Sequence, residues 1–289
     1  MSTIELGIIG GSGLYKMDGL TDVEELQINT PFGKPSDAII VGTLHGRRVA
    51  FLPRHGRGHR HNPTELPYRA NIYALKTLGV KYLIAVSACG SLQEQFAPGH
   101  IVIPDQLYDN TKKRHNTFFE DGIVAHVGMA DPFTPELCAA LSAATQAAGG
   151  TVHDGGTFIT VEGPRFSTRG ESNLYRQWGM DIIGMTTSPE AFLAAEAQMA
   201  YACMAHVTDY DVWHETEADV TVERVMETVK NNVTLAQKTI SRLAATMDEW
   251  AGEYAVHHSL QYAVMTAPHL IETAVSDKLA PLFKTTSDE

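Results

Sequence analysis

Short runs rich in isoleucine and valine punctuate the chain at residues 4–9, 38–41, 49–52, 82–86, 101–103, 158–161, 181–183 and 203–207. Runs of this kind, apolar without strict alternation, predict strands, several of them covered on both faces. Between them the spacing changes to a helical one, most clearly at 135–148, 168–178, 189–201 and 221–250. Two of these segments mark their own starts. Thr134-Pro135-Glu136 and Ser188-Pro189-Glu190 put a hydroxyl at the N-cap, a proline at the first helical position and a carboxylate in the first turn. Alternating strands and helices predict an α/β fold with a mostly parallel or mixed central sheet and helices on both faces. Ligands then gather at loops beyond the strand ends.

Composition narrows the picture. With 289 residues, 44% of them hydrophobic, the chain can build one large core, and no linker-like stretch divides it, so a single domain over 1–289 is expected. A formal net charge of -12 with no basic run to offset it excludes a protein built to grip a nucleic-acid backbone. No apolar segment approaches the roughly twenty residues of a membrane helix. The opening MSTIELGIIGG lacks the basic region of a signal peptide. Cys89, Cys138 and Cys203 lie far apart with no CxxC spacing, which fits a reducing cytoplasm and gives no support to a thiol role.

Three segments that follow apolar runs carry candidate chemistry. Gly10-Gly11-Ser12-Gly13 can turn backbone N–H groups toward an anion with no Cβ in the way, although the same glycines would serve a tight strand-ending turn. Lys16 stands where GxGxxG needs its third glycine, and no GK[ST] follows, so dinucleotide and P-loop readings weaken. The run 54–61, RHGRGHRH, concentrates cationic side chains in an acidic protein; it reads as an anion site or as a solvated basic loop. Arg54 is the preferred clamp, because a guanidinium pairs two oxygens at once and keeps its charge. A metal reading of the histidines is weaker, since Gly56 and Gly58 argue against the helix that i, i+4 ligation needs. Ser87-Ala88-Cys89-Gly90-Ser91 reads as a third strand-end loop with free backbone donors. Together the three could surround one tetrahedral anion.

The motifs GIIGGSGLY, TPFGKPSDA, RHGRGHRHNPTELPYRANIYALK, SACGSL, TFITVEGPRFSTRGE, MTTSPEAFLAAE and TDYDVW resemble the trimeric purine nucleoside phosphorylases, most closely the branch acting on 5'-methylthioadenosine. The likeness runs from residue 4 to about residue 229. It implies a mixed central sheet flanked by helices, a homotrimer (or a hexamer) with active sites at subunit borders, and inorganic phosphate as cosubstrate. It implies neither metal nor organic cofactor. Motif by motif, the phosphate site falls on Ser12, Arg54, His55, Ser87, Ala88 and Thr186. Met185 lies against the ribose, and Phe166 and Ser167 lie beside the purine. Taken alone, Met185 and Phe166 would read as core residues.

Asp209 and Asp211, in TDYD after an apolar run, would by themselves read equally well as surface acids. Under the resemblance they recognise the purine, and Asp209 is the catalytic group. A carboxyl can accept from the adenine N6 amino group and supply or stabilise a proton at N7, whereas a carboxylate would repel the O6 of a 6-oxopurine. An apolar pocket for the methylthio group falls on Val222, Val225 and Met226, which share a helix face, with His126 supplied by a neighbouring subunit. A helical carboxyl-terminal segment, about 255–289, is expected to cover the site. Phosphorolysis of S-methyl-5'-thioadenosine is the expected reaction. The alternatives are a phosphorylase for inosine and guanosine, against which Asp209 argues, a nucleotide-binding oxidoreductase, and a noncatalytic purine-binding protein.

Overall fold

The computed structural model describes residues 4–11, 13–214 and 222–284, without the side chains of 222–231. The strands are β1 (Leu6–Gly10), β2 (Thr21–Leu26), β3 (Ile39–Leu44), β4 (Arg47–Pro53), β5 (Tyr82–Ser91), β6 (Ile101–Ile103), β7 (Gln106–Asn110), β8 (Val152–Asp154), β9 (Thr157–Val161), β10 (Ile182–Gly184) and β11 (Ala200–Asp209). The helices are α1 (Tyr68–Thr77), α2 (Pro135–Ala147), α3 (Arg169–Gln177), α4 (Thr187–Glu196), α5 (Val222–Ala245), α6 (Met247–Trp250) and α7 (Thr273–Phe283). No helix among the described residues is long and apolar enough to cross a membrane.

The sheet is mixed, as the alternation predicts. Its main path runs β2-β3-β4-β1-β5-β10-β9-β7, and β5 also pairs along β11, which continues to β6 and β8. The long strand β5 is the hinge of this arrangement: parallel to β1 and β11 over most of its length, it meets β10 antiparallel only at Gly90 and Ser91. Period-two alternation divides β11 between two cores. Tyr201, Cys203, Ala205 and Val207 pack with Ile72 and Leu75 of α1, Leu193 of α4 and Leu279 of α7. Ala200, Ala202 and Met204 pack with Leu137 and Leu141 of α2 and Ala236 and Ile240 of α5. Helices therefore cover both faces, and β11 is buried at every position.

Several boundaries move. The segment 87–91 is the end of strand β5, not a loop, because β10 and β11 take up its backbone groups. The helix expected over 189–201 stops at Glu196, and residues from Ala200 belong to β11. The segment 221–250 breaks at Thr246 into α5 and α6. Polar or exposed strands β2 and β7 carry no apolar run, so the hydrophobic pattern does not mark them. Ser188 is extended inside the α4 span (φ -95, ψ 135), so regular helix begins after it, at the expected Pro189. Its hydroxyl has no partner and does not cap. Thr134 precedes α2 as expected, but its hydroxyl accepts from the Tyr201 N–H at 3.1 Å instead of capping the helix.

Candidate active site

Of the expected residues, Arg54, His55, Ser87, Ala88, Met185, Thr186, Asp209 and Asp211 lie at or just beyond the ends of β4, β5, β10 and β11. At the anion side, the Arg54 N–H donates to the Gly10 carbonyl at 2.8 Å and ties the glycine loop to the basic run. A Cβ at Gly10 would come within 3.0 Å of the Val86 carbonyl, so glycine is what lets β1 and β5 approach there. Ser12 itself lies outside the described residues.

Arg54 is buried, and its guanidinium does not present an open fork. Nε and Nη2 donate to the two carboxylate oxygens of Glu190 at 2.8 and 2.9 Å. Nη1 donates to Val86 O at 3.0 Å and Nη2 also to Ile9 O at 3.2 Å. This corrects the expectation that Arg54 pairs two oxygens of a bound anion: a guanidinium 4% exposed needs a counter-charge, and Glu190 supplies it. Burial alone would pull the guanidinium down, but Glu190 holds it above its ordinary value. Its five N–H donors include two on Nη1, of which one goes to Val86 O, so a single-point contact to an anion is what Arg54 retains. Tyr201 donates to the same Glu190 at 2.9 Å.

His55 follows, half-buried and stacked on His59 with ring centroids 4.2 Å apart. Burial pushes its imidazole down to about 4, with the hydrogen bond to the His61 carbonyl opposing and the Arg54 charge adding. It is neutral near pH 7. Because the carbonyl at 2.9 Å from Nδ1 can only accept, Nδ1 carries the proton and Nε2 is an acceptor. The side chain thus suits a protonated phosphate oxygen rather than a bare one.

Ser87 and Ala88 lie within β5, with Ala88 exposed and Ser87 buried. The Ser87 hydroxyl is sealed from solvent and has no hydrogen-bond partner. Thr186 stands at the N-cap position of α4, buried, with no capping bond from its side chain. Met185 precedes it, and its carbonyl accepts from Arg114 at 2.7 Å. That same guanidinium, 1% exposed, also donates to Ser188 O, Tyr68 Oη and the Val161 and Glu162 carbonyls. Arg114 fixes the turn 185–188, and nothing local in its KKRH stretch marks it as a buried arginine. Glu190 was likewise legible only as a first-turn acid.

At the other side, Asp209 ends β11 and is 3% exposed. Its Oδ1 accepts the Asp211 N–H at 2.8 Å and its Oδ2 accepts the Thr208 hydroxyl at 2.6 Å. A Cβ at Gly90 would sit 3.0 Å from Asp209 Oδ1 and 3.1 Å from Ile183, so this glycine makes room for the carboxylate between β5 and β10. Asp211 adopts a left-handed backbone (φ 50), which aspartate tolerates. Burial pushes its carboxyl above the ordinary range, with Ser172, the Val212 N–H and Ser167 opposing. The turn is anchored by Trp213, whose Nε1 donates to Ser91 O at 2.8 Å under the Arg176 guanidinium, 3.2 Å from the ring centroid. Phe166 and Ser167, half-buried, come just before Thr168, the N-cap of α3. A cavity lined by Asn110, Glu162, Gly163, Ser167, Glu171 and Tyr175 opens beside them and shares none of the anion-side residues.

His126 is exposed, on a loop pinned to the carboxyl-terminal segment by its N–H to Ala263 O at 2.8 Å. Within one chain it is not brought to the other residues. Val222, Val225 and Met226 belong to α5, but their side chains lie outside the described set.

Residues 5–246 match the phosphorylase superfamily. A relative in Chloroflexus aurantiacus described as an S-methyl-5'-thioadenosine phosphorylase is 55% identical over 283 residues, covering 98% of each chain. Among solved structures, a methylthioadenosine phosphorylase from an antarctic soil metagenomic library superposes with a TM-score of 0.94 at 48% identity, covering 98% of this chain and 100% of the other. A methylthioadenosine phosphorylase from Schistosoma mansoni in complex with adenine gives a TM-score of 0.86 at 35% identity, covering 92% of this chain and 100% of the other.

Proposed function

This chain belongs to the phosphorylase superfamily, and we propose from that premise that it catalyses phosphorolysis of S-methyl-5'-thioadenosine to adenine and 5-methylthioribose 1-phosphate. Such a reaction makes it a pentosyltransferase, and relatives at 55% and 52% identity are described as S-methyl-5'-thioadenosine phosphorylases. The observation that carries the reading at the level of residues is the buried Asp209 carboxylate, held by two donors at the end of β11.

Phosphate binds below the sugar, against Ser12, the spare Arg54 N–H, the Ser87-Ala88 strand end and Thr186. One of its oxygens bonds to C1' as the C1'–N9 bond breaks, and the bonding pair leaves with the purine. The dianion stabilises the oxocarbenium character that develops at C1'. Asp209 supplies or stabilises the proton at N7, and Asp211 helps to hold the N6 amino group. Phe166 and Ser167 flank the base, Met185 the ribose. Every charge in this scheme comes from phosphate and the chain's own side chains, so we assign no metal or organic cofactor, with phosphate as cosubstrate.

The working unit we propose is a homotrimer. The bridge between Ala125 and Val264, with the His126 to Ala263 bond, makes the 123–126 and 260–266 segments one piece. Whichever pocket receives His126 therefore also receives the carboxyl-terminal segment. Tyr262, Met265 and Val124 are exposed apolar residues on these segments, which supports burial against a second copy. Val222, Val225, Met226 and a neighbour's His126 then form the methylthio pocket. Sedimentation equilibrium should return three times the 31.5 kDa chain mass; a monomer that turns over at full rate would contradict it. Free thiols at Cys89, Cys138 and Cys203 suit a cytoplasmic location.

Base release from 5'-methylthioadenosine, adenosine and inosine, with and without phosphate, tests the chemistry. Adenine release only with phosphate, and little reaction of inosine, is the expected result. Preference for inosine would overturn the purine assignment, and turnover without phosphate would overturn phosphorolysis.

A further inference from the structure

One guanidinium ties together segments that are remote in the chain. Arg114, its side chain 1% exposed, donates from Nε to Glu162 Oε1 at 3.2 Å, and from Nη2 to the Glu162 and Val161 carbonyls at 2.8 and 3.4 Å. Its Nη1 is shared among Tyr68 Oη at 2.9 Å, the Met185 carbonyl at 2.7 Å and the Ser188 carbonyl at 2.6 Å. Tyr68 gives its own proton to the Pro63 carbonyl at 2.9 Å, which leaves its oxygen free to accept. The Glu162 carboxylate is held in turn by the Thr64 hydroxyl and the Lys113 N–H, each at 3.0 Å. All the guanidinium N–H groups of Arg114 are thus committed to the protein, so it can act on a ligand only through what it holds. The two carbonyls on Nη1 are the first and last of the 185–188 turn, and Thr186 stands between them. The two carbonyls on Nη2 immediately precede Gly163, where a Cβ would come within 2.6 Å of Met185 Sδ, so the bare glycine is the seat of the Met185 side chain. Phe166 and Ser167 follow on the same loop.

We propose that Arg114 is a positioning residue that couples the two substrates: by holding the 185–188 turn and the 161–163 segment on one rigid plane, it sets Thr186 for phosphate and Met185, with Phe166 and Ser167, for the nucleoside in a single mutual geometry. The inference rests on the roles given to Thr186 and Met185 above. Displacement at C1' needs the phosphate oxygen close to the ribose and in line with the departing base, so a small shift between these segments costs rate as well as affinity. A lysine would keep the charge, but it brings its donors from one point and cannot span both pairs of carbonyls.

The test is steady-state kinetics of the full-length enzyme, well below the melting temperature of each variant, with phosphate and 5'-methylthioadenosine varied separately. Arg114→Lys should lower kcat and raise both KM values by about tenfold, the scale of one lost hydrogen bond to a charged group. A merely structural role would lower the melting temperature and leave both KM values of the folded enzyme where they were; that result, or a change confined to one substrate, would overturn the coupling. In a Thr186→Ala background, which should itself weaken phosphate, Arg114→Lys should lose most of its effect on the phosphate KM and keep its effect on the nucleoside KM. A full phosphate effect without the Thr186 hydroxyl would mean that Arg114 does not act through the turn. If Thr186→Ala leaves the phosphate KM as it was, the phosphate role of Thr186 fails, and the proposal falls with its premise; turnover of the parent enzyme without phosphate would remove the phosphorolysis reading itself. Glu162→Gln keeps the volume and weakens the hold on Nε, so it carries the test if Arg114→Lys folds poorly. Both KM values should then rise together by about threefold, and unchanged values would overturn the proposal.

Discussion

At the scale of single residues, the proposed chemistry makes Asp209 the group that separates an aminopurine enzyme from an oxopurine one. Its two oxygens are oriented by the Thr208 hydroxyl and the Asp211 N–H, both of which donate. An asparagine can satisfy only part of that arrangement, because its amide nitrogen cannot accept. Asp209→Asn should therefore lower kcat for 5'-methylthioadenosine by about 10²- to 10⁴-fold, the range of a lost general acid–base group, and narrow the gap to inosine. Parallel progress curves for the two nucleosides check this; equal rates for variant and parent with the adenine nucleoside would remove Asp209 from the chemistry. Arg54 shows a different logic. Its charge is neutralised by Glu190 before any ligand arrives, so the residue acts as a rigid strut joining β4, β1, β5 and α4 that presents a remaining N–H.

At the scale of elements, the start of α3 decides where the purine-side loop sits. Thr168 accepts the Glu171 N–H at 3.2 Å, and Glu171 accepts the Thr168 N–H at 2.8 Å, a reciprocal capping box one residue after Ser167. Arg165 adds two bonds to the same carboxylate at 2.7 Å, and these, with the Thr168 N–H, hold Glu171 down to about 2 against a small burial effect. A carboxyl depressed in this way adds stability above its ordinary pKa of 4.5 and loses it as pH falls toward 2. Thr168→Ala should destabilise the protein by about 1 kcal/mol in chemical denaturation. It should also raise the KM for the nucleoside while leaving that for phosphate alone, because Phe166 and Ser167 sit on one side of the site and Arg54 and Thr186 on the other. Equal changes in both constants would mean that the cap supports the fold only.

For the molecule as a whole, acid is the expected weakness. His206 is buried inside β11 with neither ring nitrogen partnered, and burial pushes it from 6.5 down to about 4. His55 is pushed down to about 4 as well. A depressed histidine binds protons more readily in the unfolded chain, so stability is full above pH 6.5 and falls as pH drops toward 4, by on the order of 1–3 kcal/mol for each imidazole. Melting temperatures measured from pH 7.5 to pH 4.5 should fall steeply, and His206→Met, apolar and of similar length, should flatten that slope. A slope indifferent to the substitution would mean that other groups carry the acid sensitivity.

The sequence by itself determined the α/β class, most of the buried strands, the starts of α2 and of the regular part of α4, and the segments that meet at the strand ends. It could do so because burial of a strand or a helix face is written in local periodicity, and caps are written within four residues. The roles proposed for Asp209, Asp211, Thr186 and Met185 come from motif resemblance, since no local pattern distinguishes a cleft acid from a surface one. Tertiary structure decided what periodicity cannot encode. It continued 87–91 as strand because two distant strands pair with it, and it gave the Arg54 fork to Glu190, 136 residues away. It set Arg114 under the 185–188 turn and buried the Ser87 hydroxyl without a hydrogen-bond partner. A buried charge must find a partner in three dimensions, and which partner it finds depends on register and packing between segments remote in the chain.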